Sequence, residues 1–198
     1  MKNKNDVRFS KADQAIRQSF IDLLKVKKFD RISVKMIIDK AAINRSTFYA
    51  HFLDKYDLMD QLQEELLDNL INNLPDVNWQ SNKPLIEQFQ DRATGIVQNI
   101  NQNRELFVLM LSNNVGNSFE KTMQDKSRTV FEGIISDEYL TVPREYVVVL
   151  LTSAVSSTLI TWAKNGFKES PEEFANIISH IIPNLAIQLV QNPHNTNG

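Results

Sequence analysis

Between Ser33 and Lys55 the chain reads SVKMIIDKAAINRSTFYAHFLDK, in which hydrogen-bonding side chains crowd together and only two residues, Asp39 and Asp54, are acidic. Wound as an α-helix, Arg45–Phe52 turns Phe48 and Phe52 to one side. Ser46, Thr47 and Ala50 face the other way, with Tyr49 and His51 on the flanks. Asn44 stands where a cap would and counts among the candidate DNA contacts, and Arg45 opens the helix. These residue types suit the reading of base edges. Arg45 can donate two bonds to guanine O6 and N7, the Thr47 methyl can pack on thymine, and Ala50 leaves room for close approach. The first residues of such a helix lie nearest the bases when it enters a major groove. Tyr49, Ser33, Lys35 and Lys55 suit phosphate oxygens, which fix register without specifying sequence. His51 has two open readings, a DNA contact or a structural histidine with its bonds satisfied inside the fold.

Other chemistries find little support. The 198 residues include no cysteine, which excludes disulfides, thiolate-held zinc, iron–sulfur clusters and cysteine nucleophiles. The three histidines, His51, His180 and His194, are scattered without the carboxylate spacing of a metal site. His180 lies among apolar residues and reads as a bundle histidine; His194 lies in a polar tail. Five glycines spread along the chain make no phosphate-cradling loop, and neither Gly-x-Ser-x-Gly nor His-Glu-x-x-His occurs. The expectation is a non-enzymatic protein with no cofactor and no metal. No run reaches the roughly 20 apolar residues of a membrane span, and the polar start MKNKNDVRFSKAD lacks the apolar core of a signal peptide. A cytoplasmic protein without a membrane partner is expected.

Charge separates the chain into two parts. The formal net charge is −2, yet residues 1–55 carry nine Lys and four Arg against six Asp and no Glu, a net of +7. Residues 56–198 hold nine basic residues against eighteen acidic ones, a net of −9. A small basic unit joined to a larger acidic one implies that only the first meets a polyanion. The expected division is therefore 1–55 for DNA binding and 56–198 for the rest. Lys25, Lys27 and Lys28 read as solvated surface within the basic part.

The elements that must position these residues are all helices. From Lys11 to Val26, Ala12, Ile16, Phe20, Leu23 and Leu24 gather on one helical face. Ser33 can cap a second helix, VKMIIDKA, and Asn44 a third, Arg45 to Phe52. Asp54 can cap a fourth through Leu58, Leu62, Leu66 and Leu70, which Pro75 stops. Pro84 suits the first turn of a helix carrying Leu85, Phe89, Ile96, Val97 and Ile100. A short apolar segment around Leu106–Leu111 and a helix near Ser118–Ile135 come next. Pro143 starts a long helix through Trp162 that Gly166 can end. Ser170 and Pro171 start the last one, to about Gln191, and Pro183 inside it predicts a kink. No run alternates with period two, so the fold class is all-α: an N-terminal three-helix DNA-binding domain with a helix-turn-helix, then a C-terminal helical bundle.

AAINRSTFYAHFLDKYDL, with Thr47-Phe48-Tyr49-Ala50-His51-Phe52 followed by Lys55, resembles the helix-turn-helix of the TetR/AcrR transcriptional regulators. The resemblance covers about the first 60 residues. A fainter echo follows at Trp162, Gly166, Ser170, Pro171, Glu172 and Glu173. It implies that Tyr49 and Lys55 contact phosphates, that Arg45, Ser46 and Thr47 read bases, and that His51 is a second-row contact or a structural residue. Ala42 stands where that family often has Gly in the turn between the two helices. A left-handed backbone there costs a non-Gly residue on the order of 1 kcal/mol.

The C-terminal part offers candidates for two further surfaces. Val147–Trp162 is built of apolar and small hydroxyl residues, with no charge until Lys164. A helix of a lone bundle would show a polar stripe, so this one is expected to pack against both its own bundle and a second copy of the chain. The dimer interface is assigned to Val148, Leu151, Val155, Leu159, Phe174, Ile178, Ile181 and Leu185, a four-helix arrangement resembling the family's. Two reading helices about 34 Å apart fit successive major grooves, and the DNA partner should then be a near-palindromic double-stranded operator. An effector pocket would draw on the large side chains Phe89, Phe107, Met110, Met123, Phe131 and Trp162, with Tyr139 nearby. The effector is unnamed by the sequence; the acidic excess hints faintly at a cation. The resemblance implies a homodimeric repressor released by a small-molecule effector. An activator of the same fold, or a helical protein-interaction module without DNA binding, is the alternative.

Overall fold

A computed structural model describes residues 4–116 and 118–189, with side chains from Arg8 onward. It is helical, and no β-strand element occurs among the described residues. Nine α-helices follow in order: α1 Lys4–Leu24, α2 Val34–Ala41, α3 Arg45–His51, α4 Lys55–Ile71, α5 Leu85–Gln102, α6 Arg104–Met110, α7 Ser118–Ile134, α8 Arg144–Lys164 and α9 Pro171–Gln188. Short 3-10 turns at Phe29–Arg31 and Asp137–Tyr139 are additions to the sequence reading. Helix α1 begins earlier than the apolar periodicity shows, because Lys4–Ser10 contains no Gly or Pro to stop it. The expected end of α9 at Gln191, and His194, lie outside the described residues.

The chain divides into two compact units. One holds the chain up to Leu66 together with Leu109–Phe119; the other holds Leu67–Val108 and the chain from Glu120. This differs from a boundary at residue 55, for a physical reason. The first turns of α4 belong to the N-terminal core: Leu58, Leu62 and Leu66 are buried, and Gln61 and Glu65 take hydrogen bonds or charge from Arg17 on α1. Gln63 donates to Ser118 Oγ at 3.1 Å.

In the first unit α1 packs on α2 and α3, with Ile16, Phe20, Leu24, Ile37, Phe48 and Phe52 at its centre, each at most 1% exposed. The caps fall where the sequence puts them. Ser33 Oγ accepts from Met36 N at 3.3 Å, and Asp54 Oδ1 accepts from the amides of Tyr56 and Asp57 at 2.7 and 2.9 Å. Asn114 Nδ2 donates to Leu24 O at the end of α1, and the Asn114 carbonyl accepts from Phe29 N at 2.7 Å.

In the second unit α5 and α8 pack against α9. Helix α8 ends in a Schellman motif, Gly166 N donating to Ala163 O and Phe167 N to Trp162 O, with the Phe167 and Trp162 rings 4.6 Å apart. Gly166 takes φ 73°, as expected of a residue that ends the helix. Helix α9 opens on a capping box: Ser170 Oγ accepts from Glu173 N, Glu173 Oε2 accepts from Ser170 N, and Pro171 holds the first turn. Pro183 lies buried within α9. The 21-residue α8 is long and apolar enough to cross a membrane by length and composition alone, and 56% of its 18-residue apolar window is buried within the fold.

Candidate nucleic-acid interface and effector cavity

The tight turn between α2 and α3 is made by Ala42, whose φ of 54° and ψ of 42° are left-handed. Ala42 N donates to Asp39 O and Ile43 N to Ile38 O, the bond pair of a Schellman end. The turn therefore has the backbone that favours glycine, and an alanine carries it. Two residues later Asn44 caps α3: its Oδ1 accepts from Thr47 N, Thr47 Oγ1 and Ser46 Oγ, all within 2.8 Å. Asn44 is thus committed to holding the start of the helix, and its carboxamide oxygen is not available to DNA as the sequence reading allowed. The Thr47 hydroxyl points its proton at the same oxygen, which leaves its methyl as the free chemistry.

Helix α3 is held from beneath by Phe48 and Phe52, whose rings lie 5.9 Å apart. Arg17 covers the lower end. Its guanidinium sits 5.2 Å from the Phe52 centroid, donates through Nε to Asp13 at 2.7 Å and through Nη2 to Gln61, and has Nη1 3.0 Å from Glu65 without hydrogen-bond geometry. The sequence reading missed Arg17; its position beside Ile16 on the buried stripe of α1 was the available signal. On the outer side Arg45, Ser46, Tyr49 and Ala50 are exposed, as are Ser33 and Lys35 at the start of α2. Arg45 lies against Tyr49, its guanidinium 5.5 Å from the ring centroid and Nη2 3.5 Å from the hydroxyl. This contact is loose enough for both groups to turn toward a ligand.

Two expected contacts are absorbed by the fold instead. The His51 side chain is 2% exposed, stacked on Phe9 at 3.8 Å with Nδ1 3.6 Å from Asp13 Oδ1. The side chain is thus packed against α1 inside the fold. Lys55 Nζ donates to the carbonyls of Phe29 and Ile32, both at 3.0 Å, and lies 4.5 Å from the Phe29 ring centroid. It pins the α1–α2 connection rather than offering its charge outward.

In the second unit a cavity of about 90 Å³, partly open to solvent, lies between α4, α5, α7, α8 and α9. Phe89, Met123 and Phe131 are among its walls. Phe107 and Met110 are fully buried and are not among its walls. Trp162 also lies elsewhere, stacked on Phe174 at 4.2 Å with Nε1 donating to Glu169 O, and so it closes the end of α8. Tyr139 stacks on Trp79 at 5.1 Å, outside the cavity.

The expected dimer surface also changes. Val148, Leu151, Val155, Leu159, Phe174 and Ile178 are each at most 8% exposed in the single chain, so its own bundle has already taken them. The apolar residues left uncovered on α8 are Tyr146, Val149 and Leu150, followed along the helix by exposed Ser153, Ser157 and Thr161; on α9 they are Ile177 and Ile181. Of the assigned residues, Ile181 is exposed and Leu185 half-buried.

Comparison with known proteins sets this geometry in a family. Residues 87–184 match the family model described as a transcriptional regulator C-terminal region, one of the TetR C-terminal models. A 99-residue stretch is 31% identical to the dhaKLM operon transcriptional activator DhaS of Lactococcus lactis subsp. lactis strain IL1403, covering 48% of this chain. The chain belongs to the TetR family of transcriptional regulators. Its match spans about half, 53%, of that curated relative's length. Two solved structures share the fold across nearly the whole chain. The dihydroxyacetone kinase operon activator DhaS has a TM-score of 0.62 at 17% identity, covering 91% of this chain and 98% of that one. A TetR regulator from Streptococcus agalactiae 2603V has a TM-score of 0.61 at 23% identity, covering 90% and 97%. The all-helical TetR architecture is thus established for this chain, and as a TetR-family regulator it is a non-enzymatic protein.

Proposed function

We propose that this TetR-family chain binds a specific double-stranded operator as a homodimer in the cytoplasm, and that an effector in its C-terminal cavity alters that binding. One observation carries the DNA reading: α3 is clamped from below by Phe48, Phe52 and Arg17 and presents Arg45, Ser46, Tyr49 and Ala50 to solvent. A helix so held can enter a major groove without rearranging. Ser33, Lys35 and Tyr49 are the phosphate contacts; Arg45, Ser46 and Thr47 face the bases. The second copy docks on the uncovered stripe of α8 around Val149 and Leu150 and on Ile177 and Ile181 of α9, which makes the operator a near-palindrome.

The first reading of the sign of control is repression relieved by the effector, with coupling typically of about 1–3 kcal/mol. Similarity to DhaS, named an activator, favours a second reading in which the bound dimer promotes transcription. Deleting the gene distinguishes them: target transcripts rise for a repressor and fall for an activator. The DNA reading is tested by binding to genomic fragments across a salt series. Affinity should fall steeply with salt through counterion release. A chain that retains no fragment at any salt is instead a helical interaction module.

A further inference from the structure

We propose that the cavity of the second unit selects an apolar molecule carrying one anionic head, and that Arg92 is the residue that recognises the head. This rests on the reading of that cavity as an effector site. Its walls are apolar except for Arg92, Lys126 and Ser127; no carboxylate lines it. That reverses the faint expectation of a cationic effector, because the acidic excess of the chain does not reach the cavity.

The polar groups differ in how far they are already satisfied. Ser127 Oγ accepts from Ser156 Oγ at 3.1 Å. Lys126 Nζ is paired with Asp68 at 2.5 Å. Arg92 is half-buried on the α5 face that also carries Phe89 and Ile96 into the cavity, yet among the described residues it forms no ion pair. Its hydrogen-bond partner is a neutral backbone carbonyl, that of Pro75. Burial pushes the guanidinium below its usual pKa, opposed only by the field of Asp76. A guanidinium has five donors in a planar fork. One is used here, and an ionised oxygen pair entering along the apolar wall would satisfy the fork better than any neutral group.

Carboxylates with aliphatic and with aromatic bodies share this chemistry, and the test separates them. Calorimetric titration of the full-length protein would use dodecanoate, dodecan-1-ol and dodecylamine below micelle-forming concentrations, with 2-naphthoate as the aromatic acid. We expect an acid to bind about tenfold or more tighter than the alcohol, and the amine to bind weakest. The stronger of the two acids identifies the body. Arg92→Gln should lower acid affinity about tenfold and leave alcohol affinity unchanged, while Arg92→Lys retains most of the preference. Val130→Trp, which fills the cavity wall, should abolish binding of acid and alcohol alike while the helical signal persists. Equal affinity for the three head groups, absence of binding by either acid, or loss of alcohol binding in Arg92→Gln equal to the loss of acid binding would overturn the proposal. Operator affinity measured with saturating acid separates the two claims. An acid that binds through Arg92 without changing operator affinity refutes the effector reading and leaves the anion selectivity standing.

Discussion

Replacing Lys55 by Met tests whether this lysine serves the fold or the DNA. The substitution keeps the apolar stem and removes the ammonium that donates to Phe29 O and Ile32 O. A hydrogen bond from a charged group contributes about 1.5–3 kcal/mol, so two would lose up to about twice that. Lys55 is half-buried, and the freed carbonyls regain part of their hydration, which brings the expected loss to about 2–3 kcal/mol. The ammonium over the Phe29 ring adds about 0.5–1 kcal/mol. Against the roughly 5–15 kcal/mol of an ordinary domain, this shows as a lower urea midpoint with an unchanged slope. DNA binding supplies the opposing readout. A lysine seated on a phosphate contributes about one unit to the slope of log affinity against log salt. Lys55, with its ammonium turned into the fold, should contribute nothing, so folded Lys55→Met should keep the wild-type salt slope. A variant of unchanged stability whose salt slope falls by about one unit would show the ammonium on DNA and refute the reasoning.

Ala42→Gly should stabilise the chain by about 0.5–1 kcal/mol in thermal or urea unfolding, because relief of left-handed strain exceeds the added unfolded-state entropy; destabilisation would mean that the turn is not left-handed. Arg45→Ala should leave stability within about 0.5 kcal/mol and relax preference at one base position by about 1–3 kcal/mol in a selection of bound fragments. Ser170→Ala should cost about 1 kcal/mol through loss of the α9 cap. The bonds from Ser170 hold the Glu173 carboxyl below its ordinary pKa of 4.5. Its contribution is therefore fully present above that value and lost as pH falls through the lowered one; Glu173→Gln should flatten that part of an acid titration followed by circular dichroism. Val149→Asp should shift the protein toward monomer in sedimentation without unfolding it, whereas Leu159→Asp should unfold it, since Leu159 is 2% exposed within the single chain.

Local determinants of the fold were readable from the chain because they act over a few residues. Ser33, Asn44, Asp54 and Ser170 cap helices through bonds reaching two or three positions along, and Gly166 ends α8 by its own backbone freedom. Phe48 and Phe52 share a face by helical geometry alone. The positions that changed meaning depend on distant partners. His51 packs against Phe9 and Asp13 on α1, and Lys55 is satisfied by carbonyls 23 and 26 residues earlier. Helix α8 posed a different difficulty: a helix apolar on every side has no phase in its sequence, so its inward face, Leu151, Val155 and Leu159, could not be told from its outward one, Val149 and Leu150. The cavity was obscured for a related reason. Large side chains such as Phe107, Met110 and Trp162 fill space where packing succeeds, and a cavity forms where it does not.

These corrections bear on what the helix-turn-helix resemblance measures. Within Thr47–Lys55, Phe48, His51, Phe52 and Lys55 all turn toward the protein, and Asn44 and Thr47 spend their polar groups on each other. The demands on these residues come from packing and capping, so they are the same whatever DNA is bound. Arg45, Ser46, Tyr49 and Ala50 face solvent, and their side-chain hydrogen bonds are short-range ones, Ser46 to the Asn44 cap and Arg45 to Tyr49. The buried part of the pattern therefore describes how α3 is mounted, and under the proposed function base preference would rest on the exposed Arg45, Ser46 and Ala50. By this argument, exchanging Arg45, Ser46 and Ala50 for those of another member should transfer base preference without loss of stability. Exchange of His51 or Lys55 should alter stability and leave preference alone.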